Sequence, residues 1–431
     1  MDINREMYLN QLITKKDNKL VKIITGVRRC GKSYLLYPLY YDYLVSIGIK
    51  DSQIIRLSLD TASNAKYRNP LALSHYLISQ IVDNKKKYYI FLDEIQFVEE
   101  IKNPYVDNKK ATITFVDVVL DLLKIRNVDI YITGSNSKML SSDILSSFSN
   151  RGDEIKMNPL NFKEFSLFKK TEDCWYEYLQ YGGLPEIVLK NSESEKSTRL
   201  KKLIEKTYLK DVILRHNIND KKEVMEDLIN IIASTVGSLT NPQKLANTFN
   251  SEKNIKVYRY EIANFLDYLI NAFLINKSYR YDISGRKFIN TLIKYYFTDT
   301  GLRNAWLNFR EFDEQHLMEN VVYNELLIRG FNVDVGLVEA YSKDKNKTTV
   351  RKQYEVDFVA NKGRKRYYIQ VTMGIDTDEK RQQEINSLIR IKDSFKKIVI
   401  VKDSILPYND NNGILYIGLK DFLLKENALD W

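Results

Sequence analysis

The chain is poor in the side chains that build disulfides and metal centres. Only two cysteines occur in 431 residues, and one of them is Cys30, so neither a disulfide framework nor a cysteine zinc site can be assembled. The three histidines, His75, His216 and His316, are scattered, which argues equally against a histidine-rich metal site. No apolar run approaches the roughly 18 residues that a membrane span needs. Residues 1–6 lack the basic-then-apolar layout of a signal peptide. A soluble, cytoplasmic protein without a membrane partner is therefore expected. Internal repeats and long low-complexity linkers are also missing.

What is present points to several folded domains. At 431 residues the chain is too long for one ordinary core, and domains of about 100 to 200 residues imply about two to four of them. The net charge of +10 favours polyanionic partners, although a general richness in Lys, Asn, Ile and Tyr dilutes that signal. The 30 tyrosines offer either stacking platforms for bases or buried rings with satisfied hydroxyls.

The sharpest local signal is Gly26-Val27-Arg28-Arg29-Cys30-Gly31-Lys32-Ser33, which fits G-x-x-x-x-G-K-[ST]. An apolar strand precedes it and Tyr34-Leu35-Leu36 opens a helix after it. Glycines at both ends free the turn from Cβ clashes, so successive backbone N–H groups can surround phosphates at a helix N-terminus. Gly26, Arg28, Arg29, Cys30, Gly31, Lys32, Ser33 and Tyr34 are thus the candidate nucleotide-binding residues. Lys32 would reach the β- and γ-phosphates and Ser33 the Mg²⁺.

Strands are expected at 20–25, 53–59, 88–92, 129–133 and 154–157, alternating with amphipathic helices as in a parallel sheet covered on both faces. The apolar run Tyr88-Tyr89-Ile90-Phe91-Leu92 ends in Asp93-Glu94. In a phosphate-loop ATPase the first carboxylate of such a pair holds Mg²⁺ and the second polarises the attacking water. Ser135 and Asn136, after the next strand, are candidates to contact the γ-phosphate, a plain turn being the alternative. Arg151 is a candidate finger for a neighbouring subunit's nucleotide, or a surface arginine at a turn.

Beyond the sheet the expected divisions are a helical connector at 161–215, a winged helix at 216–300 and an α/β domain at 301–431, after an ATPase domain at 1–160. Three helices followed by a hairpin is the winged-helix order, in which the third helix commonly enters the major groove. The polar stretch 102–110 reads as an exposed loop, and Lys362-Gly363-Arg364-Lys365-Arg366 as a phosphate-contacting cluster or a solvated hairpin tip.

Taken as a series, Gly26–Ser33, Asp93-Glu94-Ile95-Gln96, Ile132-Thr133-Gly134-Ser135, Arg151-Gly152, Pro159-Leu160 with Glu164-Phe165, and Tyr181-Gly182-Gly183-Leu184-Pro185 resemble prokaryotic AAA-type ATPases with a C-terminal domain of unknown function. The resemblance implies ATP and Mg²⁺ as cofactors, a homo-oligomer and a restriction-endonuclease-like C-terminal fold. The stretches around Glu319, Asp357 and Tyr368-Ile369-Gln370-Val371-Thr372 carry that last part. Such nucleases use a helix glutamate, a strand aspartate and Glu-x-Lys. Glu319 and Asp357 are kept, but Gln370 and Thr372 stand where Glu and Lys belong, so a domain that binds without cleaving is expected. By analogy with junction-resolving enzymes, the implied function is an ATP-driven protein acting on DNA, including branched DNA. The alternatives are a nucleotide-dependent switch that binds protein partners and an ATP-regulated nuclease.

Overall fold

The computed structural model describes residues 3–108, 110–134, 148, 151–252, 255–343 and 349–431. The chain forms two compact units, residues 1–159 with 271–273, and residues 160–270 with 274–431.

In the first unit, β1 (Val21–Thr25), β2 (Ile54–Ser58), β3 (Tyr88–Asp93), β6 (Val128–Thr133) and β7 (Gly152–Lys156) form a sheet in the order β2-β3-β6-β1-β7. Every pairing in it is parallel, as the alternation of strands and helices predicts. Every residue of β1, β3 and β6 is buried, which explains their nearly continuous apolar sequence. One exception sits inside that run: the Lys22 ammonium on β1 is buried against Asp129 on β6. Asp129 also accepts from Tyr131 Oη at 2.7 Å, and Tyr131 Oη meets Tyr40 Oη at 2.6 Å. Part of the tyrosine richness is thus interior, since Tyr8, Tyr40, Tyr88, Tyr89, Tyr131, Tyr296, Tyr323, Tyr368 and Tyr416 are fully buried. The stretch 102–110 connects a short hairpin, β4 (Ile101–Lys102) with β5 (Thr112–Ile113).

The second unit opens with helices, among them Phe162–Lys169, Glu193–Leu203, Lys222–Ser234, Pro242–Glu252 and Arg259–Asn271. They precede β8 (Ile275–Asp282), β9 (Lys287–Phe297), β10 (Asn332–Lys343), β11 (Thr349–Lys362), β12 (Lys365–Thr372), β13 (Lys396–Val401), β14 (Tyr408–Asn409) and β15 (Leu415–Gly418). All eight join one mixed sheet, ordered β14-β15-β13-β12-β11-β10-β8-β9. This departs from the expected boundary at residue 300. The β8–β9 hairpin is not a free wing, because β8 pairs in parallel with β10 through Arg280↔Val335, Tyr281↔Gly336 and Asp282↔Leu337. Gly336 leaves room on both sides of β10, since a Cβ there would lie 2.8 Å from Val356 Cβ on β11 and 3.0 Å from Ile283 Cδ1 just after β8. A core of Tyr281, Val338, Val356, Val359, Tyr368, Leu388, Val399 and Tyr416 then spans the hairpin and the C-terminal strands.

Turn chemistry fixes the entry to this unit. Gly182 has φ +72°, and a Cβ on it would fall 2.1 Å from Asp299 Oδ1. Asp299 Oδ2 accepts from Gly183 N at 2.7 Å, while Oδ1 accepts from Leu302 N at 3.0 Å and caps the helix Thr300–Trp306.

Candidate active site

The phosphate loop leaves the carboxyl end of β1, where open parallel sheets place their ligands. Gly26 takes φ +137° and packs so tightly that a Cβ would lie 2.0 Å from Met157 O. Arg29 and Gly31 are left-handed, at φ 67° and φ 101°. This αL-rich turn carries the chain into the helix at Lys32–Tyr34. The helix continues as a π-turn through Leu35–Tyr40, a register that accommodates Pro38 inside it. Lys32 is buried and its Nζ donates to Gly26 O at 3.0 Å and Val27 O at 3.1 Å. Cys30 is buried, Arg28 and Tyr34 are half-buried, and Arg29 is exposed.

Beside the loop, β3 delivers Asp93 at its last position. The Asp93 carboxyl is 4 % exposed and bonded by the Thr133 hydroxyl from β6 and the Ser33 hydroxyl from the loop. Burial raises its pKa, and those two hydroxyls oppose the rise. A hydroxyl and a carboxylate in contact, with the Lys32 charge acting on them, are the donor set of a Mg²⁺–nucleotide site, so the residues fit that group. Glu94 follows in the left-handed region at φ 54°, ψ 51°, which turns it off the strand, and it contacts the Gln96 amide. Thr133 stands in the motif series without a role of its own, and the structure brings it to Asp93. Its signal is a hydroxyl at the carboxyl end of the strand between β1 and β3.

Ser135 and Asn136 lie outside the described residues. Arg151 is exposed and immediately precedes β7, its carbonyl accepting from Val21 N at 2.8 Å. That is the amino end of the sheet, so the chain does not bring Arg151 to its own loop, Asp93 or Thr133.

In the second unit Glu319, on the helix Glu314–Ile328, and Asp357, on β11, are each 8 % exposed. Asp357 Oδ2 accepts from Val371 N at 2.8 Å. Burial and the Glu319 charge hold Asp357 well above the usual carboxylate range. Gln370 and Thr372 on β12 hydrogen-bond Glu384, whose pKa burial raises. The expectation that this region has lost its cation needs correcting, because Lys294 on β9 enters it from another element. Lys294 Nζ lies 3.0 Å from Glu319 Oε1 and 2.7 Å from Glu355 Oε1. A lone lysine in a strand carries no spacing signal that ties it to a helix residue 25 positions later. The basic stretch at the β11–β12 turn is engaged within the unit: Lys362 Nζ donates to Arg329 O at 2.6 Å and Lys365 Nζ to Asp430 Oδ2 at 2.7 Å.

Among the described residues, no helix is long and apolar enough to cross a membrane. A family profile described as an AAA domain matches residues 18–166, and one described as a domain of unknown function matches residues 172–313. A solved Walker-type ATPase of Pyrococcus abyssi is similar at a TM-score of 0.48 and 15 % identity, over 71 % of this chain and 96 % of that one. An uncharacterized protein of Haemophilus influenzae is 33 % identical, over 98 % of this chain and 99 % of its own length. One from Methanocaldococcus jannaschii is 32 % identical, over 95 % of this chain and 85 % of its own. With the phosphate loop, Ser33, Asp93 and Thr133 assembled on a parallel sheet, the chain carries an AAA domain and belongs to the same family as these two relatives.

Proposed function

We propose that the protein is a Mg²⁺-dependent ATP hydrolase that works as an oligomer on DNA, with a winged-helix-like helical region and a nuclease-like C-terminal sheet that bind without cleaving. The observation that carries the ATPase reading is the convergence of Ser33, Asp93 and Thr133 beside a phosphate loop with a buried Lys32. Mg²⁺, which Ser33 and Asp93 would hold, would supply positive charge against the developing phosphate charge. Lys32 exchanges its loop carbonyls for phosphate oxygens. Ser33 and Asp93 hold the metal, Thr133 fixes the Asp93 carboxylate, and Glu94 orients the attacking water and accepts its proton. In this reading Ser135 and Asn136 contact the γ-phosphate, and Arg151 serves the site of an adjacent subunit. ATP rather than another nucleotide follows from the AAA family.

DNA as partner is supported by the charge of +10 and by the exposed side chains of Gln243, Lys244, Asn247, Lys256, Arg259 and Tyr260 on and beside the helices Pro242–Glu252 and Arg259–Asn271. Branched DNA such as a four-way junction is the form that the nuclease-like sheet suggests.

The test is ATP hydrolysis with and without linear duplex, single-stranded and four-way-junction DNA at two salt concentrations, with Lys32→Ala as control. Stimulation by one DNA form that falls with salt, by a slope of roughly 0.9 per phosphate neutralised, is expected. Lys32→Ala abolishes nucleotide binding. A response that is flat to every DNA contradicts the DNA reading and leaves a nucleotide-dependent switch for protein partners.

A further inference from the structure

Lys294 lies among the carboxylates that the nuclease-like reading would assign to a metal ion. Glu355 and Asp357 are two apart on β11 and so share one face of the sheet. Glu319 faces them from the helix Glu314–Ile328. The Lys294 ammonium reaches Glu319 Oε1 at 3.0 Å and Glu355 Oε1 at 2.7 Å, and Tyr296 Oη donates to the same Glu319 oxygen at 2.6 Å. Backbone geometry keeps the space open for this arrangement: Gly237, at φ +72°, would bring a Cβ within 3.2 Å of Glu319 Oε1.

These residues do not fit a divalent cation as they stand. Among the described residues no three His, Cys, Asp or Glu side chains converge to hold a metal ion. The ammonium fills the gap that the carboxylates would have to close around, and Gln370 and Thr372, at the remaining motif positions, both contact Glu384, Gln370 Oε1 also accepting from Asp357 N and the Thr372 hydroxyl donating to Gly374 O. A relocated catalytic lysine is the competing interpretation. It requires an ammonium presented to substrate, whereas the Lys294 side chain is 4 % exposed and paired with two carboxylates. Burying several carboxylates together is unfavourable unless a cation accompanies them, and an ammonium with three donors can serve two of them and anchor the helix to the sheet.

We propose that Lys294 is a built-in replacement for the divalent cation, which turns a nuclease-like metal centre into a closed ion cluster that cannot take metal. The proposal rests on the nuclease-like reading of the sheet for its ancestry and is independent of ATP and DNA.

The experiment uses the full-length, nucleotide-free protein and Mn²⁺ alone as probe, with bound ion counted by electron paramagnetic resonance. Sites are assigned by their loss in Glu319→Gln. Wild type should have no Glu319-dependent Mn²⁺ site. Lys294→Met should gain one per chain, lost again in Lys294→Met/Glu319→Gln, and its melting temperature should rise with Mn²⁺ as metal binding becomes linked to folding. A Glu319-dependent site in wild type overturns the proposal, and so does a folded Lys294→Met that gains no ion. If Lys294→Met unfolds in metal-free buffer, millimolar Mn²⁺ must restore its circular dichroism, and failure of that rescue also overturns it. No readout involves hydrolysis or DNA, so failure here leaves the ATPase reading intact, and a protein that does not hydrolyse ATP leaves this proposal intact.

Discussion

The Thr133 hydroxyl bonds the carboxylate proposed to hold the metal. Asp93 is buried, and burial favours its protonated form, which cannot hold Mg²⁺ well; the Thr133 and Ser33 hydroxyls oppose that shift. A hydrogen bond to a charged group contributes about 1.5–3 kcal/mol, so Thr133→Val should lower kcat/KM for ATP about 10- to 100-fold. Glu94→Gln should leave nucleotide affinity unchanged and remove turnover, because the amide keeps the shape and loses the base. Steady-state hydrolysis together with binding of a fluorescent nucleotide separates the two effects. Turnover in Glu94→Gln equal to the parent would assign water activation elsewhere. Lys32, Ser33 and Asp93 were legible in the sequence because phosphate chemistry demands fixed residue types at fixed spacing next to an apolar strand. Thr133 was not, since a threonine at a strand end is common and only its neighbour β3 gives it meaning.

At the scale of elements, Asp299 joins a glycine turn to a helix and should leave a trace in the pH dependence of stability. Its carboxyl is fully enclosed, and burial pushes its pKa up to about 6 against four backbone N–H bonds, from Gly183, Leu302, Gly301 and Leu184. An unfolded aspartate loses its proton near 3.9. Between those values the native state binds more protons than the unfolded state, so the contribution of Asp299 is largest below about pH 4. It is lost as pH rises through about 6, by up to about 3 kcal/mol. Wild type should therefore lose stability relative to Asp299→Asn across that window in urea unfolding at several pH values; a difference constant from pH 4 to 7 would refute the assignment. The Gly182-Gly183 pair was visible in the sequence as part of a motif, but its partner Asp299, more than a hundred residues away, was not. The β8–β9 hairpin was likewise readable as two strands and a turn, while its pairing with β10 was not. Periodicity reports which faces are apolar, and a strand that joins a sheet edge-on has the same alternation as one in a free wing.

For the whole molecule, the placement of Arg151 bears on whether one chain is a complete enzyme. The phosphate loop, Asp93 and Thr133 sit at the carboxyl ends of β1, β3 and β6, whereas Arg151 precedes β7 at the opposite end of the same sheet. β1 has five residues, which at about 3.3 Å each separates those ends by roughly 16 Å, beyond the reach of one arginine side chain. A role for Arg151 in hydrolysis therefore requires a second copy. If it has that role, activity per chain should rise with protein concentration, and Arg151→Ala should lower turnover by a factor on the order of 10³ without weakening ATP binding. Mixing supplies the decisive arrangement. Arg151→Ala keeps Glu94 and lacks the finger; Glu94→Gln keeps the finger and lacks the base. A mixed oligomer places an intact Glu94 opposite an intact Arg151, so hydrolysis by the mixture should exceed the sum of the two variants measured separately. Activity equal to that sum, in a mixture shown to exchange subunits, would mean that Arg151 does not act across an interface and that the catalytic cation must come from another element.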